Sequence, residues 1–553
     1  MLRAVCWSIV VSILAGQAAV AAFGFSDSAP LNTGAATDGS SSDEEPSVAS
    51  GGGGVWVSVW SSTNTLNGII GSDTDILFAR STDNGATWSE NALLNSYGAT
   101  DEFGDFQPRL ASDGNGNWVC VWYSSNSFGG TIGNDYDIIA SHSTDNGQTW
   151  SEAVVVNSNA DTDGSARDEY VSIASDGNGN WVCVWYSDVV LGSSDRDDSD
   201  ILVARSSNNG ATWSEVETLN TDAATDTAYD QDPRVETDRA GTWIAVWESD
   251  NTLDDTVGPD GELLFAKSTD NGVTWSTNKA LNADAPTDTG YETFPSIATD
   301  RTGNWVVVWE GKIEVEGSES ADYETVAASS NDNGDTWSAP VAINNDAVED
   351  SSYDSSPSVA TDRVGNWIAI WRKDGDSGSP FGDDNDIVAS LSTDNGLTWT
   401  ALDALNGSLL TDSGGDDINA LAADGLGHWV AVWRSNDSLG STIGTDVDIL
   451  VSTLTIDIPV FTITKPNGGE KWKIGDSEKI TWDYDAKAGG KVTIELLKNG
   501  AVVETIKNKT KNDGAYSWTV PNSVSKGSGY SVRVKLKSDK RVQDQSDATF
   551  KVK

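Results

Sequence analysis

The chain has 553 residues and sets 34 Lys and Arg against 85 Asp and Glu, a formal charge of −51. A surface this acidic repels phosphate backbones and excludes nucleic acid as a partner. With only His142 and His428 and three cysteines, the chain has no Cys/His metal cluster and no Ser-His-Asp or Cys-His catalytic set.

The first 22 residues read as a secretory signal. Arg3 gives the positive end, Val5 to Ala15 the apolar stretch, and Ala19-Val20-Ala21 the small-residue cleavage site. The apolar run is too short for a membrane anchor, and no later run is long enough. The expectation is a protein without a transmembrane segment that is secreted, either extracellular or held at the cell surface. Cys6 leaves with the signal. Cys120 and Cys183 hold the same place in neighbouring repeats, inside Trp-Val-Cys-Val-Trp, where buried packing is expected.

Residues 23–457 are a sevenfold repeat. Ser81-Thr-Asp83-Asn-Gly85-Ala-Thr87-Trp88 recurs with its serine at 143, 206, 268, 330 and 392. Trp-x-x-x-Trp begins at Trp56, Trp118, Trp181, Trp243, Trp305, Trp367 and Trp429. Each unit predicts four strands: a short first strand, the alternating Trp strand, a third strand such as Asp137-Ile-Ile-Ala, and a fourth ending in Leu-Asn. Asp-Asn-Gly makes the tight hairpin between the last two. The seventh unit lacks that hairpin and its fourth strand. Pro30-Leu31-Asn32-Thr33 supplies the missing strand in phase, because Asn32 lies 63 residues before Asn95. The predicted fold is an all-β, seven-bladed β-propeller of four-stranded blades, with the last blade closed by the N-terminal strand.

Residues 459–553 form a second unit of opposite charge. They carry 18 Lys and Arg against 11 Asp and Glu, a net of +7, which leaves 16 and 74 elsewhere, a net of −58. Alternating runs such as Lys491-Val-Thr-Ile-Glu-Leu-Leu and Tyr530-Ser-Val-Arg-Val-Lys-Leu predict a β-sandwich.

The Ser-x-Asp-x-Gly-x-Thr-Trp segments resemble the Asp-box (BNR) repeats of the sialidase superfamily; five match fully and the third has Asn208 in place of Asp. The resemblance covers roughly residues 28 to 455 and implies hairpins on the face opposite an active site. From Ile463-Thr-Lys-Pro466-Asn-Gly-Gly-Glu470-Lys-Trp472 through Ile480-Thr-Trp482, the tail resembles the Ig-like domain of the Kre9/Knh1 cell-wall family. That resemblance implies surface association rather than chemistry.

Residues repeated in every unit serve the scaffold, so chemistry belongs where the units differ. Of the 24 Trp, 14 lie in the paired signature, six in the Asp boxes, three in the tail and one in the signal. An aromatic platform must therefore use loop Tyr or Phe, such as Phe103, Phe106, Phe128, Tyr229, Tyr291, Tyr353 or Phe381. Acids recur before the third strand (Asp75, Asp137, Asp200, Glu262, Glu324, Asp386, Asp448), each with another two residues earlier. Asp43, Asp105, Asp168, Asp230, Glu292, Asp354 and Asp416 precede the first strand. Both sets are expected on the face opposite the Asp boxes. Calcium gathers carboxylate oxygens of this kind, which makes Asp73, Asp75, Asp135, Asp137, Asp198 and Asp200 its candidate ligands. Turn capping on a solvated rim is the alternative.

The non-repeated positions are Arg109 and Arg234 after the first-strand proline, and Tyr123, Tyr186, Glu248, Glu310, Arg372 and Arg434 after the Trp strand. The sialidase resemblance implies arginines clamping a carboxylate, a Tyr paired with Glu as nucleophile, and an acid on the leaving oxygen. Against it stand the absence of the family's Phe-Arg-Ile-Pro segment, seven units where the enzymes have six, and the acidic rim. The preferred reading is a propeller that recognises an extracellular glycan or protein, with the basic tail on a cell-envelope polymer. An exo-acting, sialidase-like glycoside hydrolase is the alternative.

Overall fold

The computed structural model describes residues 24–553 except 37–38, 40, 189–197, 224, 226, 254–255, 259–260, 283–284, 286–289, 313, 316–317, 320–321, 345–351, 376–382, 406–413, 457–460, 485–489 and 538–542. The expected signal at 1–22 and the loop aromatic Phe381 lie outside the described residues. Among the described residues there is no helix, and so none long and apolar enough to cross a membrane.

Seven four-stranded antiparallel sheets follow in chain order. In the second, Asp105–Ser112, Trp118–Ser124, Asp137–Ser143 and Val154–Val155 pair in that order, and the first strand lines the central cavity. The seventh sheet joins Asp416–Ala423, His428–Ser435 and Asp448–Thr455 to Ala29–Pro30, with Ala29 opposite Val451 and Pro30 opposite Leu450. First strands of neighbouring blades pack together around the whole circle, blade 7 against blade 1 included. The sheets are thus seven propeller blades, closed by the N-terminal strand as the repeat predicts.

Strand alternation explains why the blades stack. In Trp118-Val-Cys-Val-Trp122 the two tryptophans and Cys120 share one face, and Val119 and Val121 take the other. The Trp face of blade 2 meets Val57 and Val59 of blade 1, and its Val face meets Trp181, Cys183 and Trp185 of blade 3. The ring closes the same way, with Val430 and Val432 of blade 7 on Trp56 and Trp60. All fourteen paired tryptophans are fully buried. At about 200 Å² each and about 25 cal/mol per Å², burial favours the fold by about 5 kcal/mol per ring before entropy. Cys120 and Cys183 are free and buried in separate interblade cores.

The Asp boxes are hydrogen-bonded turns. Asp83 accepts from the backbone N–H and hydroxyl of Thr87 at 2.9 and 2.6 Å, and Ser81 Oγ accepts from the Gly85 N–H at 3.0 Å. Asn84 and Gly85 take φ of 62° and 81°, the left-handed pair such a hairpin requires. A Cβ on the equivalent Gly147 would stand 2.6 Å from Val57 of the previous blade, so this glycine also lets neighbouring blades approach.

The recurrent Asn at the end of the fourth strand couples blade to blade. Asn157 Nδ2 donates to Asp137 of its own blade and to Asp168 of the next, both at 2.7 Å, while its Oδ1 accepts from the Ile138 N–H at 3.0 Å. Asn95 and Asn220 repeat the bridge, and Asn32 makes it between Asp448 and Asp43 across the closure. Trp185 Nε1 donates to Asp168 at 3.0 Å, completing a buried chain of Trp, Asp, Asn and Asp.

The tail is a sandwich of two sheets. Phe461–Lys465, Ser477–Tyr484 and Ala515–Thr519 form one, and five strands in the order Lys471–Trp472, Phe550–Val552, Gly527–Leu536, Lys491–Lys498 and Ala501–Lys511 form the other, with Gln543–Gln545 beside Gly527–Leu536. Trp472, Trp482 and Trp518 sit in its core.

Replacing Asn157 by Ala strands two buried carboxylates and one backbone N–H. The expected loss is about 2–4 kcal/mol of stability, read by denaturant unfolding. An unchanged midpoint would show that the amide bridge does not couple the blades.

Candidate functional site

The first strands enclose an axial channel of about 810 Å³. At its mouth, on the face opposite the Asp boxes, each first strand carries a bulge. The residue before the proline position takes positive φ in every blade: Glu45, Gln107, Tyr170, Asp232, Phe294, Ser356 and Ile418, between 35° and 54°. Seven non-glycine residues in this region store strain at one rim, as binding sites often do. The bulge turns these side chains to the mouth.

One layer deeper, most blades carry serine. Ser172 Oγ accepts the Val235 N–H of the next blade at 3.2 Å, and Ser296 the Val359 N–H at 3.1 Å. Arg109 and Arg234 stand at this level in blades 2 and 4 and line the channel, bonding the carbonyls of Pro108 and Pro233 at 3.1 and 2.9 Å. Burial, and then the charge of Arg234, push Arg109 down to about 10. Asp232 lies close to both; burial pushes it up to about 6 against their attraction.

The other candidates stand on the second strands around the same mouth. Glu248 accepts from the Tyr291 hydroxyl at 2.6 Å, and Tyr186 donates to Glu169 at 2.8 Å. Glu310 bonds Tyr353; burial pushes Glu310 up to about 7 against that bond and the nearby Arg372. Tyr123 packs on Phe106 and Tyr136, with ring centroids 5.5 and 5.1 Å apart. The expected pairing of Tyr123 or Tyr186 with Glu248 or Glu310 is therefore replaced by Tyr186–Glu169, Tyr291–Glu248 and Tyr353–Glu310. The four arginines separate into two pairs. Arg372 and Arg434 are joined through Asp417, at 3.3 and 2.8 Å, and hold Asp374 and Glu44 with their remaining donors. These two guanidiniums are committed to carboxylates, whereas no ion pair holds Arg109 or Arg234 among the described residues.

Sequence spacing did not reveal Glu169, Asp232 or Asp417 as partners, because their relation is between strands. Tyr291 and Tyr353 were visible only as loop aromatics. Of the others, Phe106 joins the Tyr123 stack and Phe128 packs on Tyr97 at 5.0 Å, while Phe103 and Tyr229 are exposed.

The acid rings are not a solvated rim. All fourteen acids before the first and third strands are 3 % exposed or less; asparagine bridges hold Asp75 and Asp105, Asp137 and Asp168, Asp200 and Asp230, and Asp448 and Asp43. Six residues beyond the bridging Asn each unit has a further Asp, such as Asp101 and Asp163, a spacing that could have been read. Asp101 closes on Asp73 and Asp75, and Asp163 on Asp137 and Asp168, with one oxygen of each within 4.8 Å of the others. Asp135 lies near Asp137. Asp200 is held by Asn220 at 2.8 Å and Asp198 is buried; neither falls in such a group among the described residues.

Fold and site together define a seven-bladed Asp-box propeller with a strained, tyrosine- and carboxylate-lined mouth, joined to an Ig-like sandwich. Residues 179–414 match the BNR repeat-like domain and residues 465–552 the Kre9/KNH-like N-terminal Ig-like domain. Among solved structures the chain is similar to a protein of unknown function from Dyadobacter fermentans (14 % identity, 78 % of this chain, 99 % of that one, TM-score 0.43). It is also similar to the Hadza microbial sialidase Hz136 (16 %, 69 % and 74 %, 0.40). A third is the α-L-arabinanase of Penicillium chrysogenum complexed with arabinobiose (14 %, 78 % and 98 %, 0.42). No curated protein matches the chain.

Because Glu310 holds its proton more tightly folded than unfolded, it lowers stability as pH rises from about 4.5 to about 7. Glu310→Gln is expected to remove its share of that decline, roughly 3 kcal/mol, in unfolding curves taken at pH 4.5 and 7.5. Parallel pH profiles for parent and variant would show that Glu310 titrates normally.

Proposed function

We propose that the propeller is a secreted, glycan-recognising protein that binds its ligand at the channel mouth. The observation that carries this reading is the convergence of three Tyr–Glu pairs and exposed aromatics on one strained rim. Tyr291, Phe294 and Tyr353 are 45 %, 40 % and 37 % exposed there, although large apolar rings gain from burial. Such faces cover the C–H faces of a sugar, and the Glu and Arg groups take its hydroxyls. The basic tail holds the protein to an anionic envelope polymer. Its edge strand Ala501–Lys511 is largely exposed and presents Lys507, Lys509 and Lys511 beside exposed Val502 and Val503.

The second reading is an exo-acting glycoside hydrolase of sialidase type, favoured by Arg109 and Arg234 flanking Asp232, a carboxyl raised to about 6. The BNR match is compatible with either. Glycan-array binding and a fluorogenic glycoside panel, including a sialoside, separate them. The expected result is binding that falls at least tenfold in Tyr353→Ala, without turnover. A chain ending at residue 456 is expected to keep that binding and lose retention on an anionic polymer. Turnover abolished by Arg234→Ala would establish the hydrolase instead. Absence of both binding and turnover would defeat both readings.

We further propose calcium in the Asp73, Asp75 and Asp101 cluster. Asp75 is fully buried, its Oδ2 has no hydrogen-bond partner, and one of its carboxylate oxygens lies within 4.8 Å of an oxygen of each of the other two. Such an oxygen is costly unless a cation meets it. Calcium is expected to raise the unfolding temperature saturably, and Asp101→Asn to weaken the effect. Insensitivity to both calcium and chelator would remove the metal.

A further inference from the structure

Below the serine and arginine layer the channel is lined by alanines, with Glu236 as the one departure: Ala174 and Ala298 occupy its place in the blades on either side. Beyond, on the Asp-box face, three arginines close the end. They occupy one position in the turn between first and second strands of three consecutive blades: Arg239, Arg301 and Arg363. Blades 2, 3 and 7 have Gly114, Gly177 and Gly425 there. All three arginines adopt the left-handed conformation natural to glycine, with φ of 57°, 63° and 58°. A bulky residue in that region is uncommon, and three in a row point to a use for the side chain.

All three line the same channel. Arg239 spans two blades to reach the carbonyls of Asp113 and Ser112 at 2.7 and 2.8 Å, and its Nε is buried without a partner. Arg363 lies over Gly425, its guanidinium 3.0 Å from where a Cβ would stand. No carboxylate forms an ion pair with any of the three among the described residues. Arg301 is pushed down to about 9, first by burial and then by the charges of Arg363 and Arg239, against the attraction of Glu236, which acts on all three arginines. A chain of charge −51 thus holds mutually repelling guanidiniums at the foot of its own axis. Planar guanidinium forks are satisfied by oxyanions.

We infer that Arg239, Arg301 and Arg363 form a binding site for a small oxyanion of the phosphate or sulfate class at the Asp-box end of the channel. A small anion suits the place, since the acidic exterior repels polyanions while a compact ion can reach guanidinium N–H donors that no carboxylate pairs directly among the described residues. The site is separate from the ligand mouth and independent of the glycan reading.

Inorganic phosphate and sulfate are titrated into the full chain at constant ionic strength in chloride, with unfolding temperature and calorimetric heat as readouts. The parent is expected to show a saturable rise. Arg301→Gly places there the residue that three other blades carry at matching φ, so the backbone accepts it. This variant is expected to bind phosphate at least tenfold more weakly, and to be at least as stable as the parent without phosphate, since a repulsion has gone. A parent that does not respond saturably would overturn the inference. So would an undiminished response in Arg301→Gly, which would place binding elsewhere, for example on the lysines of the tail. A variant that is less stable without phosphate and binds it as the parent does would reduce the arginines to a structural plug.

Discussion

One side-chain amide held between two buried carboxylates joins each of the first blades to its neighbour. Asn157 between Asp137 and Asp168 is the pattern, and Asn32 between Asp448 and Asp43 applies it to the closure. The constraint is strict because every member is buried. A carboxylate removed from water must be met by donors, and Trp185 Nε1 with Asn157 Nδ2 meet Asp168. Hydrophobic stacking of Trp on Val gives the blades their attraction, but it is non-directional. The polar bridge fixes how far one blade turns against the next, and hence how wide the channel is.

That fixed channel sets the electrostatics of everything inside it. The exterior is acidic, yet the groups that face the axis include Arg109, Arg234, Arg239, Arg301 and Arg363. At the mouth, carboxylates return and pair with tyrosines. The axis therefore runs from a mixed, aromatic rim to an arginine-lined end. Burial moves titratable groups at both ends, raising Glu310 to about 7 and lowering Arg301 to about 9. In both, loss of water is the leading cause; the Tyr353 hydrogen bond opposes it at Glu310, while the charges of Arg363 and Arg239 add to it at Arg301.

The internal repeat separates scaffold from site. Positions alike in the units, the Trp pair, the Asp box and the asparagine with its two acids, are buried or hydrogen-bonded within and between blades. Departures cluster on the axis: Arg109 and Arg234 among serines, Glu236 among alanines, and three arginines among glycines. The tail follows another rule, with its core filled by Trp472, Trp482 and Trp518 and its basic edge strand left open.

Strand number, blade number and the closing N-terminal strand were legible in the sequence, because each rests on a local period: alternation of two within strands and about 62 residues between units. The hairpins were legible because Asp, Asn and Gly act on backbone within a few residues of themselves. The acid rings were legible as rings but not as buried bridges, since their partners lie 10 to 20 residues away or across the closure. Which tyrosine meets which glutamate, and which arginines remain unpaired, was decided only when the ring closed. Closure sets side by side first strands some 62 residues apart, and desolvation and pairing depend on those neighbours rather than on the residues beside them in the chain.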